Sequence, residues 1–157
     1  MNSEDGYHSQ YEPEGLELGW NSVKEEWTRH NAFLARLLTM HDAYAIYERY
    51  ALLATQSALE EDDKTSEDSG RNVPAAAIWV LYAGEHIYRS RRDSLERWTP
   101  ADGCPLWNGK KEFCPERWAL WKERLEWVAE QDGMVEKARD LAVRAFSKMK
   151  ETKKALG

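Results

Sequence analysis

The chain has 157 residues, 42% of them apolar and 32% charged, with a formal net charge of −6. That length fits one domain able to bury its own core, and the apolar share sets it apart from disordered chains. The acidic balance repels phosphate backbones, and the best basic patch (Arg89, Arg91, Arg92 and Arg97, interrupted by Asp93 and Glu96) is too diluted to predict nucleic-acid binding.

The first residues, to about 15, read as a flexible acidic leader ahead of a single helical domain over 16–157. Met1 to Glu12 has neither the basic start nor the apolar stretch of a secretory signal. From Leu16 a helical period begins. Leu16, Trp20, Val23, Trp27, Leu34 and Leu37 recur mostly at steps of three and four, which gathers them on one stripe. His30 and Asn31 fill the gap in that stripe, so His30 is expected beside Trp27 and Leu34, bonded to a neighbour's backbone or held as a ligand contact.

A second helix is expected from about Met40 to Leu59, with Tyr44, Tyr47, Tyr50, Ala51, Ala54 and Ala58 on its apolar face. Thr39 and Asp42 resemble a capping box at its start, although one long kinked helix is the alternative. Residues 60–72, EEDDKTSEDSGRN, read as an acidic solvated loop. Its paired acids suggest a magnesium motif, but that chemistry wants them facing an apolar cavity, and this run is charged throughout.

Pro74 is expected to open the third helix, where its missing amide costs nothing. Ala75 to Ala83 is apolar nearly all round, the mark of a central helix. Gly84 inside it costs about 1 kcal/mol relative to Ala, which a closely passing backbone would explain. After a structured loop over Thr99 to Phe113, which carries Leu106 and Trp107 onto the core and could hold a small hairpin at Asn108-Gly109, Pro115 opens a fourth helix. Trp118, Trp121, Leu125 and Val128 form its stripe, and Gly133 ends it in a left-handed cap. The last helix spans about Val135 to Lys154, its terminal lysines complementing the helix dipole. The chain is thus expected to be all-α, a compact bundle of about five helices with one structured loop before the fourth. Nine Gly and five Pro are too few for an all-β chain. No run approaches the ~20 apolar residues of a membrane span, so no membrane partner and a cytoplasmic location are expected.

Three stretches carry a resemblance: WTRHNAFLARLL from Trp27, VPAAAIWVLYAGEHIY from Val73, and CPLWNGKKEFCPERWALWKERLEWV from Cys104. In this order they resemble an uncharacterised family of filamentous-fungal proteins, a domain of unknown function with NAF-ARL, AA-W--YAG, PLW-G and ERW-FW motifs, over about residues 16 to 150. The resemblance implies a helical fold and a fungal, cytosolic origin, and no activity. It also implies a shortened N-terminus in this chain, and hence an exposed groove that a partner or a second copy would cover. Where the family tends to a Ser-type cap before ERW, this chain has Cys114.

No metal or cofactor motif is present: there is no GxGxxG, P-loop, HExxH or CxxC, so no metal or cofactor is expected. Cys114 precedes Pro115 at a helix start, a setting that lowers a thiol's pKa; its pairing with Cys104 is left open. On the third helix Trp79, Tyr82, His86 and Arg89 fall at steps of three and four, with Glu85 beside them. His86, Tyr82 and Glu85 are therefore the candidate acid–base residues of a pocket, and Trp79, Trp27, His30, Tyr47 and Trp118 its candidate ligand-binding walls. Eight Trp and seven Tyr are the compositional oddity. Two functions fit it. The first is a small-molecule binder for an apolar or aromatic ligand, or a metal-independent enzyme, with an aromatic-walled pocket. The second is an interaction module or homodimer using an exposed Trp-rich groove around Trp20, Trp98 and Trp107.

Overall fold

The computed structural model describes residues 23–40, 45–61, 66–90, 106–109 and 113–157. They form α1 (Val23–Met40), α2 (Ala45–Thr55), a π-helical turn (Gln56–Glu60), α3 (Ser66–Arg89), α4 (Pro115–Glu130) and α5 (Glu136–Leu156). No strand occurs among the described residues, and the helices pack on one another around a single apolar core. The all-α bundle of five helices is thus what the chain adopts. The leader, Trp20, Asp42 and Tyr44, Asp62, Asp63, Arg91, Arg92, Arg97, Trp98 and Cys104 lie outside the described residues.

α3 is the centre. Every residue from Val73 to Val80 is buried, as an all-round apolar segment must be, and the helix packs against α1, α2 and α5. It begins earlier than its proline suggests. Ser66–Asn72, expected as acidic loop, is helical, and Pro74 lies inside the helix. Pro74 still removes the amide that would serve the Gly70 carbonyl. Burial of Val73 through Val80 continues the helix across it nonetheless.

α1 turns a slightly different face inward than the aromatic spacing predicts. Thr28, Asn31, Ala32, Leu34, Ala35 and Leu38 are buried, while Trp27 is 37% exposed. His30 is exposed and stacks on Trp27 with ring centroids 6.1 Å apart. Of the two residues that fill the gap in the stripe, Asn31 is the one inside. Its amide donates to the Trp27 carbonyl at 2.8 Å and its Oδ1 accepts from Trp79 Nε1 at 2.8 Å, which satisfies a buried indole that would otherwise cost free energy. Thr39 lies in the last turn of α1 and donates to the Arg36 carbonyl. It does not cap α2.

On α2 the buried face runs through Glu48, Ala51, Leu52 and Thr55, and Tyr50 is exposed. Thr55 donates to the carbonyls of Ala51 and Leu52 at 2.9 and 3.0 Å, where the helix widens into the π turn. α4 buries Trp118, Trp121, Leu125 and Val128, Gly133 has φ +81°, and α5 buries Ala138, Leu141, Ala142, Ala145 and Met149, all as the spacing predicts.

No backbone of another element approaches Gly84 closely, and the side chains around it do not require a glycine. A Cβ placed there would sit 3.6 Å from Trp118 Cη2 and 3.8 Å from Val80 Cγ1, ordinary contact distances. Gly84→Ala is therefore expected to stabilise the fold by roughly 0.5–1 kcal/mol through lower backbone entropy of the unfolded chain, read as a higher urea midpoint at unchanged slope. A lower midpoint would show that Trp118 is held too rigidly to accept a methyl.

Candidate functional site

Two polar clusters are buried in this apolar bundle. The first lies where α2 ends. Glu60, at the close of the π turn, is fully buried. Its Oε1 accepts from Arg117 Nε at 2.6 Å and from Trp121 Nε1 at 2.6 Å, and its Oε2 accepts from Arg117 Nη2 at 2.9 Å. Arg117 is also fully buried. The guanidinium thus meets the carboxylate as a fork, the geometry in which a buried ion pair offsets its desolvation. The Glu60 carbonyl accepts from the Leu106 amide at 3.0 Å, and Arg124 donates to the carbonyls of Leu59 and Glu61. The Trp107 ring covers Arg117 at 5.5 Å. That indole folds back over Gly109, where a Cβ would come within 2.5 Å of it. Phe113 closes the cluster, edge-on to Trp121 at 5.5 Å. The bonds from Arg117, Trp121 and Arg124 all tie α4 to the end of the π turn, so the cluster braces the fold.

The second cluster opens to a cavity. Glu48 of α2 is 1% exposed. Its Oε1 lies 3.0 Å from His86 Nε2, and its Oε2 accepts from Ser90 Oγ at 3.0 Å. His86 and Ser90 belong to the C-terminal end of α3, where the Ser90 amide ends the helix on the carbonyls of His86 and Ile87. A carboxylate only accepts, so it draws the ring hydrogen to Nε2 and leaves the lone pair of the neutral imidazole on Nδ1. Beside this set lies a pocket of about 660 Å³ lined by Thr39, Glu48, Leu81, Tyr82, Ala83, Gly84, Glu85, His86, Arg89, Ser90 and Lys148. Lys148 of α5 stands 3.9 Å from Glu85 across its rim, and Arg36 of α1 lies over the Tyr82 ring at 5.8 Å.

The structure brings Tyr82, Glu85 and His86 together in one pocket, as their spacing on α3 implies. It does not bring the five aromatic or histidine wall residues there. Trp79 is fully buried with its indole bonded to Asn31. Trp118 is buried against Tyr88, edge-on at 5.2 Å. Tyr47 is half-buried beside Tyr50 on α2. Trp27 and His30 lie on the outer face of α1, with Arg71 over Trp27 at 5.3 Å. Tyr82 is the single aromatic residue among those lining the pocket. Trp79 and Trp118 went into the core because their burial gains most there, and the pocket walls are largely polar. Glu48 and Ser90 were missed. Glu48 could have been found: it precedes Ala51, Leu52 and Thr55 at helical steps, a carboxylate on an apolar face.

Cys114 is the N-cap residue of α4, half-buried, with no side-chain cap bond. Burial pushes its thiol above the ordinary value, outweighing the Arg117 backbone amide, which pulls it down. The helix-terminus effect expected to activate this thiol therefore loses to desolvation. Among the described residues no group of His, Cys, Asp and Glu could hold a metal, and no helix is long and apolar enough to cross a membrane.

An all-helical domain with a polar pocket at one end of its central helix is the class these features define. Residues 8–125 match a family described as a protein of unknown function, DUF3632, and the chain belongs to that family. Comparison with curated proteins and with solved structures gives no match.

A raised thiol pKa means that the folded state holds the proton more tightly than the unfolded chain. Its stabilising contribution is present below the ordinary thiol value and is lost as pH rises through the folded value. In a Cys104→Ser background, Cys114 is accordingly expected to react with iodoacetamide several-fold more slowly folded than in urea at pH 8. The ratio should narrow as pH rises. Faster alkylation of the folded protein would contradict the burial account.

Proposed function

We propose that this chain is a small-molecule-binding protein, with its site in the pocket between α3, the start of α2 and α5. His86, Tyr82 and Glu85 are its polar anchors, in the manner of a binder or of an enzyme that works by acid–base groups without a metal. The observation that carries the reading is Glu48. A buried carboxylate costs several kcal/mol unless it is well bonded, and an apolar side chain at the same position would stabilise a bundle more simply. Here the carboxylate holds a histidine at the edge of a cavity, an arrangement suited to ligand contact.

A second reading has its own support. Ile46, Tyr50 and Leu53 fall at helical steps along α2 and are each 44% exposed or more. With exposed Phe33 of α1, this apolar surface suits a second copy or a partner helix. A cytoplasmic setting in a filamentous fungus belongs to both readings and rests on the sequence resemblance.

Native mass spectrometry of the protein purified from a fungal host separates them. The pocket reading expects a discrete added mass on the wild-type chain that disappears in a folded Glu48→Leu variant. A dimer without added mass in both forms would remove the pocket reading and favour the α2 surface.

A further inference from the structure

The pocket's chemistry narrows what it would hold. Both Glu48 oxygens carry side-chain donors from His86 and Ser90, and the carboxylate is itself buried, so it acts on a ligand through His86. With Nε2 engaged, the imidazole presents Nδ1, a lone-pair acceptor. His86 keeps 20% of its side chain exposed on the pocket side of α3. Ser90 is bonded to the carboxylate rather than to the imidazole, so the three residues do not form a serine nucleophile with its base. Two cations border the same space. Arg89, three residues after His86 on the same helix face, is exposed and makes no side-chain ion pair or hydrogen bond among the described residues. Lys148 enters from α5 and reaches Glu85 only at 3.9 Å, with Glu85 itself 60% exposed. One pocket thus combines an oriented acceptor, two cationic heads from different helices with the Glu85 carboxylate beside one of them, and Tyr82, whose ring forms a wall and whose hydroxyl is a polar anchor.

We infer that the ligand of this pocket is a hydroxylated organic acid: its anionic group lies between Arg89 and Lys148, and its hydroxyl donates to Nδ1 of His86. This rests on the pocket reading above and adds the class of ligand. Arg89 supplies planar, two-pronged donors and Lys148 a point charge, the pairing that suits a carboxylate. Glu48 is a positioning residue. It fixes the imidazole's hydrogen on Nε2 and so keeps the acceptor facing the ligand, as a carboxylate behind a histidine does elsewhere in protein chemistry.

The test uses three probes of one size on the full chain, by titration calorimetry: mandelate, mandelamide, which lacks the charge, and phenylacetate, which lacks the hydroxyl. Mandelate is expected to bind about tenfold more tightly than either, one good polar contact's worth in each comparison. Arg89→Gln with Lys148→Gln should erase the preference over mandelamide and leave that over phenylacetate. His86→Phe should do the reverse. In ¹⁵N-histidine spectra, mandelate should move the Nδ1 signal of His86 more than Nε2, and Glu48→Gln should abolish that asymmetry without emptying the pocket. Equal affinity for all three probes would overturn the ligand class while leaving a small-molecule pocket standing. Absence of binding by all three, in a protein that also carries no added mass natively, would remove the pocket and the inference together. Mandelate binding that persists unchanged in both sets of variants would place the site elsewhere and overturn the inference alone.

Discussion

The bundle depends on one buried carboxylate. Glu60 accepts three side-chain donors from Arg117 and Trp121, while its carbonyl takes the Leu106 amide. Three segments of chain therefore meet here: the π turn, the 106–109 loop and α4, whose Arg124 adds bonds to the neighbouring carbonyls of Leu59 and Glu61. A buried ion pair is poor evidence of stability as such, because an apolar substitute of equal volume often does as well. Its consequence here is register. An apolar contact tolerates sliding, and a forked guanidinium–carboxylate bond with an indole on the same oxygen does not.

That register reaches the pocket through α2. The helix is short, and its outer face carries exposed Ile46, Tyr50 and Leu53. Apolar packing alone would hold it against α3 with little rotational preference. The Glu60 cluster pins its far end, and the Thr55 hydroxyl bonds to Ala51 and Leu52 sit where the helix passes into the π turn. Rotation so fixed, Glu48 arrives opposite His86 and Ser90. The two polar clusters are thereby linked: the first is closed and structural, and the second is open and chemically usable. They stand on the same segment, residues 48 to 60.

Much of this was legible in the sequence. Unbroken apolar character marked the centre of α3, tryptophan spacing marked α4, and Gly133 marked the turn before α5. That His86, Tyr82 and Glu85 would line one space was legible because helical periodicity on one regular element is a local property. The errors have a common cause. Trp27 and Tyr50 drew the predicted stripes towards themselves, although large amphipathic rings also serve at surfaces, under Arg71 in the case of Trp27. Glu48, Glu60 and Arg117 were passed over because polar residues read as solvated. Their burial depends on partners 38 to 61 residues away, and no local pattern encodes such pairs. Pro74 misled for a related reason: the preference for a helix start is a local rule, overridden here by burial on both sides.

The claim that the Glu60 cluster sets the pose of α2, and with it the pocket, is tested most directly by native-state hydrogen exchange on an Arg117→Met variant. Removing one partner of such a pair costs about 3–5 kcal/mol, so exchange is measured where the variant is still folded. The account predicts that amides of α2 and the π turn lose protection far more than those in the middle of α3 and α5, because their restraint is specific. Uniform loss across all helices would show that the pair contributes global stability only. Undiminished protection in α2 would show that apolar packing fixes its pose, and would contradict the link between the two clusters.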